Sequence, residues 1–305
     1  MSGGAKKVLV TGARGFIGRH CLPGLAAKGY EVHAVSSAAH AGTDAVWHRC
    51  NLLDVAAVET LLAEVRPTHL LHLAWIAKPG IFWTSRANLA WLASGVRLAD
   101  AFFAAGGQRA VGAGTCAEYA QTAGDCAEDE TPIAPETLYG EAKAAMHFAL
   151  RAAARGRGTW AWARFFFPYG PGEPPGRFIP SVIDGLLRHM PVACTHGRQV
   201  RDFIYVDDAA EACVALIDGE ASGAYNVGSG AGTSLGEVGG LVVAELGHPE
   251  LLRFGERPAP AYDPARIVAN VGKIRREHGW VPRVTLAEGI QRTIAAQRAH
   301  AEGVA

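Results

Sequence analysis

The sequence predicts an α/β protein, a doubly wound parallel sheet followed by a smaller, discontinuous C-terminal α+β domain. Three observations predict it. Short β-branched runs alternate with longer amphipathic stretches through the first half, the pattern of a parallel sheet covered by helices on both faces. A glycine-rich turn follows the first strand directly and opens a helical stretch. Beyond Arg164, proline and glycine cluster from Pro168 to Gly176 and the rhythm breaks.

Candidate strands run from Lys7 to Thr11, Tyr30 to Val35, Ala45 to His48, His69 to Leu73 and Arg109 to Ala113. Helical stretches run from Phe16 to Lys28, from Asp54 to Val65, closed by Pro67, and from Arg86 to Ala105, closed by Gly106 and Gly107. A further helix is expected from Pro135 to Arg151. The proline and glycine cluster divides the chain into residues 1–170 and, mainly, 171–305. Segments at about 197–222, with a helix from Val206 to Ile217, and at about 264–275 are expected to return to the first domain. Ala224 to Val227 reads as one more strand, and no internal repeat is evident.

The chain of 305 residues, 49% apolar, can bury a sizeable core and suits an enzyme better than a small adaptor. Lysine plus arginine number 29, as do aspartate plus glutamate, so no general field draws it to nucleic acid or an anionic membrane. The N-terminus passes from Gly3 and Gly4 through two lysines into the brief apolar run Val8 to Val10, too short for a signal peptide. No stretch approaches a membrane span, and a cytoplasmic protein is expected. Cys21, Cys50, Cys116, Cys126, Cys194 and Cys213 show no paired spacing, and the histidines show no ligand pattern, so neither disulfide nor metal is expected.

The turn reads Thr11-Gly12-Ala13-Arg14-Gly15-Phe16-Ile17-Gly18. Between strand and helix, Gly12 permits a tight turn, Gly15 lets the backbone approach a pyrophosphate, and Gly18 lets the helix pack on the strand. The helix start adds free N–H groups and a positive dipole end. These features predict a dinucleotide site of the Rossmann type. NAD sites usually carry an acidic residue after the second strand, where this chain has Ser36 and Ser37. Hydroxyls there and Arg14 in the turn can donate to a 2′-phosphate, which favours NADP, with NAD the alternative. Asn51 and Leu52 flank the adenine, or belong to a loop that ends in a helix cap at Asp54.

Tyr139 and Lys143, four apart in a helical stretch, share one face. An ammonium beside a phenol brings its pKa from near 10 towards neutrality and fits tyrosine to exchange a proton with an alcohol or ketone. Thr115 ends the fifth strand, and ligands of open α/β sheets lie beyond the carboxyl ends of strands, so its hydroxyl can meet the same reacting oxygen.

These residues resemble the extended short-chain dehydrogenase/reductases of the NAD-dependent epimerase/dehydratase family, over nearly the whole chain. The matches fall in the family's order: the glycine turn, His72-Leu73-Ala74, Asn88, Thr115 before Tyr119, Tyr139 with Lys143, and Arg164 with Tyr169-Gly170-Pro171. Arg201 to Asp208, then His278-Gly279-Trp280 with Pro282 and the helix start at Leu286, complete the set. The resemblance implies Tyr139 as general acid or base, Lys143 on the nicotinamide ribose, and Leu73 and Ala74 beside the cofactor. It implies Arg201 on a nucleotide diphosphate, unless Arg201 instead pairs with Asp202, Asp207 or Asp208. Phe178 and Ile179 would line the base pocket, or simply begin an apolar helix. Relatives pair through helices matching Arg86 to Ala105 and Pro135 to Arg151, so a homodimer is expected, although those apolar faces can equally be core.

Departures from the family pattern select the reaction. Similar 4,6-dehydratases place aspartate and glutamate directly after the threonine, where this chain has Cys116 and Ala117, and water elimination loses its acid–base pair. Phe167 stands where relatives often have an asparagine near the sugar phosphates. The expectation is an NADP-dependent reductase of a nucleoside-diphosphate 4-keto-6-deoxysugar, with an NAD-dependent 4-epimerase as the alternative. A protein that only binds a dinucleotide is disfavoured by the intact Thr115, Tyr139 and Lys143.

Overall fold

The computed structural model describes residues 6–40, 42, 44–120, 124–260 and 263–303. Residues 1–5, including Gly3 and Gly4, lie outside the described ones. Seven parallel strands form the large sheet: β1 (Lys7–Thr11), β2 (Glu31–Ser36), β3 (Val46–Arg49), β4 (His69–His72), β5 (Arg109–Thr115), β7 (Thr159–Phe165) and β11 (Gly223–Val227). Their order is β11-β7-β5-β4-β1-β2-β3, so the winding reverses between β1 and β4 and a crevice opens at the carboxyl ends of those strands. Both faces are covered. Val8 and Val10 of β1 join a core with α1 (Gly18–Ala27), α6 (Val206–Asp218) and α8 (Gly272–His278). Leu9 faces the opposite core, built from α2 (Val55–Val65), α3 (Ala87–Ala104) and α4 (Leu138–Ala154). That is why these strands read as unbroken apolar runs rather than alternating ones.

Local chemistry sets the helix ends. Asp54 caps α2 by accepting the Ala57 N–H at 3.3 Å, and Arg66 ends it in the left-handed region before Pro67. The helix expected from Pro135 begins instead at Leu138, because Thr137 is extended and its hydroxyl oxygen accepts the Gly140 N–H at 3.1 Å. The first helix starts at Gly18, two residues later than Phe16, since Gly15 is taken up in a turn closed onto the Gly12 carbonyl at 2.8 Å.

The second sheet joins β12 (Gly232–Ser234), β10 (Val200–Tyr205), β14 (Arg266–Ala269) and β6 (Asp125–Cys126), with β8 (Phe167–Tyr169) beside β10. A separate pair is formed by β9 (Val192–Cys194) and β13 (Leu252–Phe254). Helices α5 (Phe178–Leu187), α7 (Leu235–Leu246) and α9 (Leu286–Ala301) pack with Phe203 and Tyr205 into a third core. The segments that return to the large sheet are therefore shifted along the chain from 197–222 and 264–275. β10 and β14 belong to the second sheet, because Phe203 and Tyr205 turn into the third core. The chain rejoins the large sheet from Val206 to Val227 and again through α8, which packs against β11. All six cysteines are buried free thiols. Among the described residues no helix is long and apolar enough to cross a membrane.

Candidate active site

Thr11 ends β1 with its hydroxyl 2.7 Å from Nδ1 of His72 at the end of β4, which ties the two strands at the point where the winding reverses. Gly12 has φ +70°, and a Cβ there would lie 2.7 Å from the Ala74 nitrogen and 2.8 Å from the Leu73 carbonyl carbon. A Cβ on Gly18 would strike the Gly12 carbonyl oxygen and lie 2.9 Å from the Ala13 Cα. The expected residues Gly12, Gly15, Gly18, Leu73 and Ala74 thus meet in one backbone-lined cradle. The start of α1 at Ile17 has no side-chain cap, Arg14 and Gly15 are exposed, and Phe16 and Ile17 are half-buried. Bare N–H groups behind a tight glycine turn fit a pyrophosphate.

At the other end of the crevice, Ser36 is the last residue of β2 and accepts the Ala38 N–H at 3.2 Å, with Ser37 exposed beside it. In the sheet register Ser36 lies opposite Arg49 of β3, a second exposed guanidinium that the sequence reading did not select. Asn51 accepts the Leu53 N–H at 3.2 Å and Asp54 caps α2, so the loop-and-cap arrangement is present. Leu52 is buried in the α2 and α3 core and lines a groove of about 800 Å³ between those helices, whose lining does not include Thr115, Tyr139 or Lys143.

Thr115 ends β5, and its hydroxyl oxygen accepts the Ala117 N–H at 3.2 Å. Tyr139 lies in the first turn of α4 and Lys143 one turn on, with Nζ donating to the Ala113 carbonyl at 2.8 Å, 4.0 Å from the Trp75 ring centre and 6.0 Å from that of Tyr139. Phe82 and Trp83 pack edge-on against Tyr139 at 4.8 and 5.7 Å. Asn88 staples this covering loop: its amide donates to the Phe82 and Ser85 carbonyls at 2.7 and 2.8 Å and its oxygen accepts the Trp75 indole N–H at 2.8 Å. Aromatic rings thereby shield the ammonium from water and cover part of the Tyr139 ring, which is half-buried.

Burial pushes the Tyr139 phenol up to about 12, against a hydrogen bond from Thr115 and the charge of Arg177. Burial pulls the Lys143 ammonium down to about 7, opposed by the charge of Glu118. The expectation that Lys143 draws the phenol towards neutrality is therefore not met here. Desolvation outweighs the nearby cations, and the ammonium is turned to Ala113. Tyr139 keeps its proton, the state a proton donor needs. An ammonium titrates near 10.4 in an unfolded chain and near 7 in this fold, so the unfolded chain binds more protons between those values. Stability from this group rises with pH across that window. Lys143→Met is expected to raise the melting temperature by about 5 °C at pH 6, with the gain shrinking towards pH 10. Thermal melts across pH check it, and no gain at pH 6 would contradict a buried charge.

Of the residues expected to meet a substrate, Arg201 is 4% exposed and pairs with Asp263, while also donating to the Val200 carbonyl at 2.8 Å. None of the three aspartates weighed from the sequence is its partner. Asp202 accepts the backbone N–H groups of Ser229, Gly230 and Ala269, Asp208 those of Arg283 and Val284, and Asp207 meets His20 at 2.7 Å. Arg201 lies 5.5 Å from the ring of Phe167, which brings those two expected residues together. Cys116 is buried and its thiol is pushed up to about 12, so it is unreactive. Phe178 is half-buried at the start of α5, whereas Ile179 is enclosed in the third core, as an apolar helix start would have it.

Sequence reasoning passed over the cover of Trp75, Phe82 and Trp83, and also Arg177, which lies 5.3 Å over Phe82. It also passed over Glu118. A readable signal existed for that one, since Thr115 and Glu118 stand at capping-box spacing and form such a box.

The family model described as NAD dependent epimerase/dehydratase family matches residues 8–228. A UDP-glucose 4-epimerase of Corynebacterium glutamicum is 26% identical over 92% of this chain and 92% of its own length. The solved structure of a Thermus thermophilus UDP-glucose 4-epimerase in complex with NAD is 30% identical, with a TM-score of 0.85 over 96% of this chain and 99% of its own. MoeE5 in complex with UDP-glucose and NAD is 29% identical, with a TM-score of 0.87 over 97% of this chain and 99% of its own.

Proposed function

The chain belongs to the NAD dependent epimerase/dehydratase family, and from that premise we propose that it is a reductase of a nucleoside-diphosphate 4-keto-6-deoxysugar. The observation that carries this reading is the centre itself. Thr115 and a protonated Tyr139 converge where Cys116 and Ala117 supply no carboxylate, which suits proton and hydride exchange at one carbon and not elimination of water.

A nicotinamide dinucleotide, when bound, would supply the hydride. The backbone from Gly12 to Gly18, with Phe16 and Ile17 at its rim, would hold the pyrophosphate, in the cradle that Leu73 and Ala74 close. Ser36, Ser37 and Arg14, joined by Arg49 opposite Ser36 in the sheet register, would favour a cofactor with a 2′-phosphate. Tyr139 donates its proton to the substrate carbonyl oxygen while Thr115 donates a hydrogen bond to the same atom. Lys143 would hold the nicotinamide ribose. Arg201 exchanges Asp263 for the substrate diphosphate, and Phe167 and Phe178 flank the nucleotide.

Incubation with NADPH or NADH and a panel of nucleoside-diphosphate 4-keto-6-deoxysugars tests the reading. Stoichiometric loss of nicotinamide absorbance with NADPH is the expected result. Ser36→Asp is expected to raise the KM for NADPH at least about tenfold by repelling its phosphate, and an unchanged KM would turn the cofactor assignment to NAD. A second reading, a nucleotide-sugar 4-epimerase with retained NAD, is favoured by the full-length likeness to the two UDP-glucose 4-epimerases. Interconversion of two sugars without net cofactor consumption would establish it. Exposed Leu89 and Val96 on α3 and Phe148 on α4 support pairing of two chains through these helices. Light scattering is expected to give twice the chain mass of 32.1 kDa.

A further inference from the structure

Glu118 stands out among the buried ionisable groups that the proton transfer leaves unused. It is 0% exposed and its ion-pair partner Arg164 only 1%. Its Oε1 accepts the Thr115 N–H at 2.9 Å and the Trp162 indole N–H at 2.9 Å, while Oε2 accepts Nε of Arg164 at 2.9 Å. A Cβ on Gly114 would lie 2.5 Å from Oε1, so this carboxylate rests directly on the strand and Gly114 leaves room for it. The residue on one side of Gly114 receives Lys143 through the Ala113 carbonyl at 2.8 Å, and the residue on the other side is Thr115. Arg164 extends the network, donating to the Tyr119 hydroxyl at 3.0 Å, and that hydroxyl donates to Asn226 of β11 at 2.7 Å. His147, one turn beyond Lys143 on α4, lies 3.3 Å from the same guanidinium.

We propose that Glu118 is a positioning residue of the catalytic centre: it fixes the Ala113 to Thr115 strand end that presents Thr115 and receives Lys143, and its negative charge stabilises the Lys143 ammonium. The proposal rests on the placing of Thr115 and Lys143 in the reaction made above. The charge has a specific target. Lys143 is buried among the Trp75 ring, the neutral Tyr139 of its own helix and His72 of β4, whose imidazole burial keeps neutral down to about 3. Arg177 approaches from the α5 side over Phe82, and Arg164 is spent on the far oxygen of Glu118. Glu118 is thus the carboxylate that opposes the burial of Lys143, and an ammonium poised near neutrality is sensitive to its loss.

The chain has six lysines, so a ¹³Cε-lysine NMR titration can follow Lys143, identified by the signal missing from Lys143→Met. Glu118→Gln is expected to move the Lys143 midpoint to lower pH by about one pH unit, and Glu118→Asp, which keeps the charge, to leave it within about 0.3 of the original. The alkaline limb of the kcat/KM profile should follow the same order. Should Glu118→Gln fail to fold, Glu118→Gln with Arg164→Met removes both partners, leaves no lone buried charge and is expected to lower the midpoint by a smaller amount, because the guanidinium removed with it repelled the ammonium. A midpoint unmoved in the folded single or double variant would overturn the proposal and leave Glu118 a core staple. The titration is read on the free protein. A failed ketosugar assay would remove the reductase reading without touching this result.

Discussion

Tyr139→Phe is expected to abolish all but about one thousandth of kcat while the protein folds and binds dinucleotide as before. The phenol oxygen has one role in the proposed reaction, giving its proton to the substrate oxygen, and phenylalanine removes that atom alone. The ring remains held edge-on by Phe82 and Trp83, and the backbone N–H of residue 139 still donates to the Trp83 carbonyl at 3.1 Å. Loss of the phenol oxygen removes its interaction with Thr115, a change of about 1 kcal/mol in stability. Steady-state kinetics beside a thermal melt separate these effects. Retention of more than about one tenth of kcat would remove Tyr139 from the proton transfer.

Gly12→Ala carries the largest expected structural penalty. Gly12 has φ +70°, and the added methyl would press on the Leu73 and Ala74 backbone at 2.8 and 2.7 Å. The left-handed conformation costs an alanine roughly 1 to 2 kcal/mol, and overpacking adds roughly 1 to 3. Neither contact is a flexible side chain, so the strand ends must part. A melting temperature lower by about 8 °C is expected, together with a dinucleotide Kd raised at least about tenfold, because the same backbone forms the cradle. Calorimetric melting and a cofactor titration check both. An unchanged Kd in the folded variant would separate the turn from the cofactor.

The large sheet was legible in the sequence because its strands are buried on both faces, so Val8 to Val10 and His69 to His72 stand out against their flanks. The glycine turn and the Tyr139 and Lys143 pair were legible because the residues of each motif lie within two turns of chain of one another, although their contacts at Leu73, Ala74 and Ala113 are distant. What escaped depends on distant pairings. Arg201 meets Asp263, 62 residues away, and no local pattern reports that. The assignment of β10 to the second sheet follows from packing of Phe203 and Tyr205 on three helices, not from the strand's own composition. The start of α4 turned on Thr137, whose capping oxygen displaced an apparent start at Pro135. The pKa of Tyr139 went the other way from expectation because aromatic cover, itself drawn from a loop 56 residues upstream, decides the desolvation of the phenol.

The most direct test of the central claim, hydride and proton exchange at a single sugar carbon, is the fate of deuterium from NADPH carrying two deuterons at the nicotinamide C4, [4,4-²H₂]NADPH, in a turnover with a nucleoside-diphosphate 4-keto-6-deoxysugar, read by mass spectrometry. The account predicts one deuterium bound to C4 of the product for each NADPH consumed, and none with Tyr139→Phe in the same time. Product formed without deuterium at C4, or no product from any ketosugar or from UDP-glucose with NAD, would contradict it.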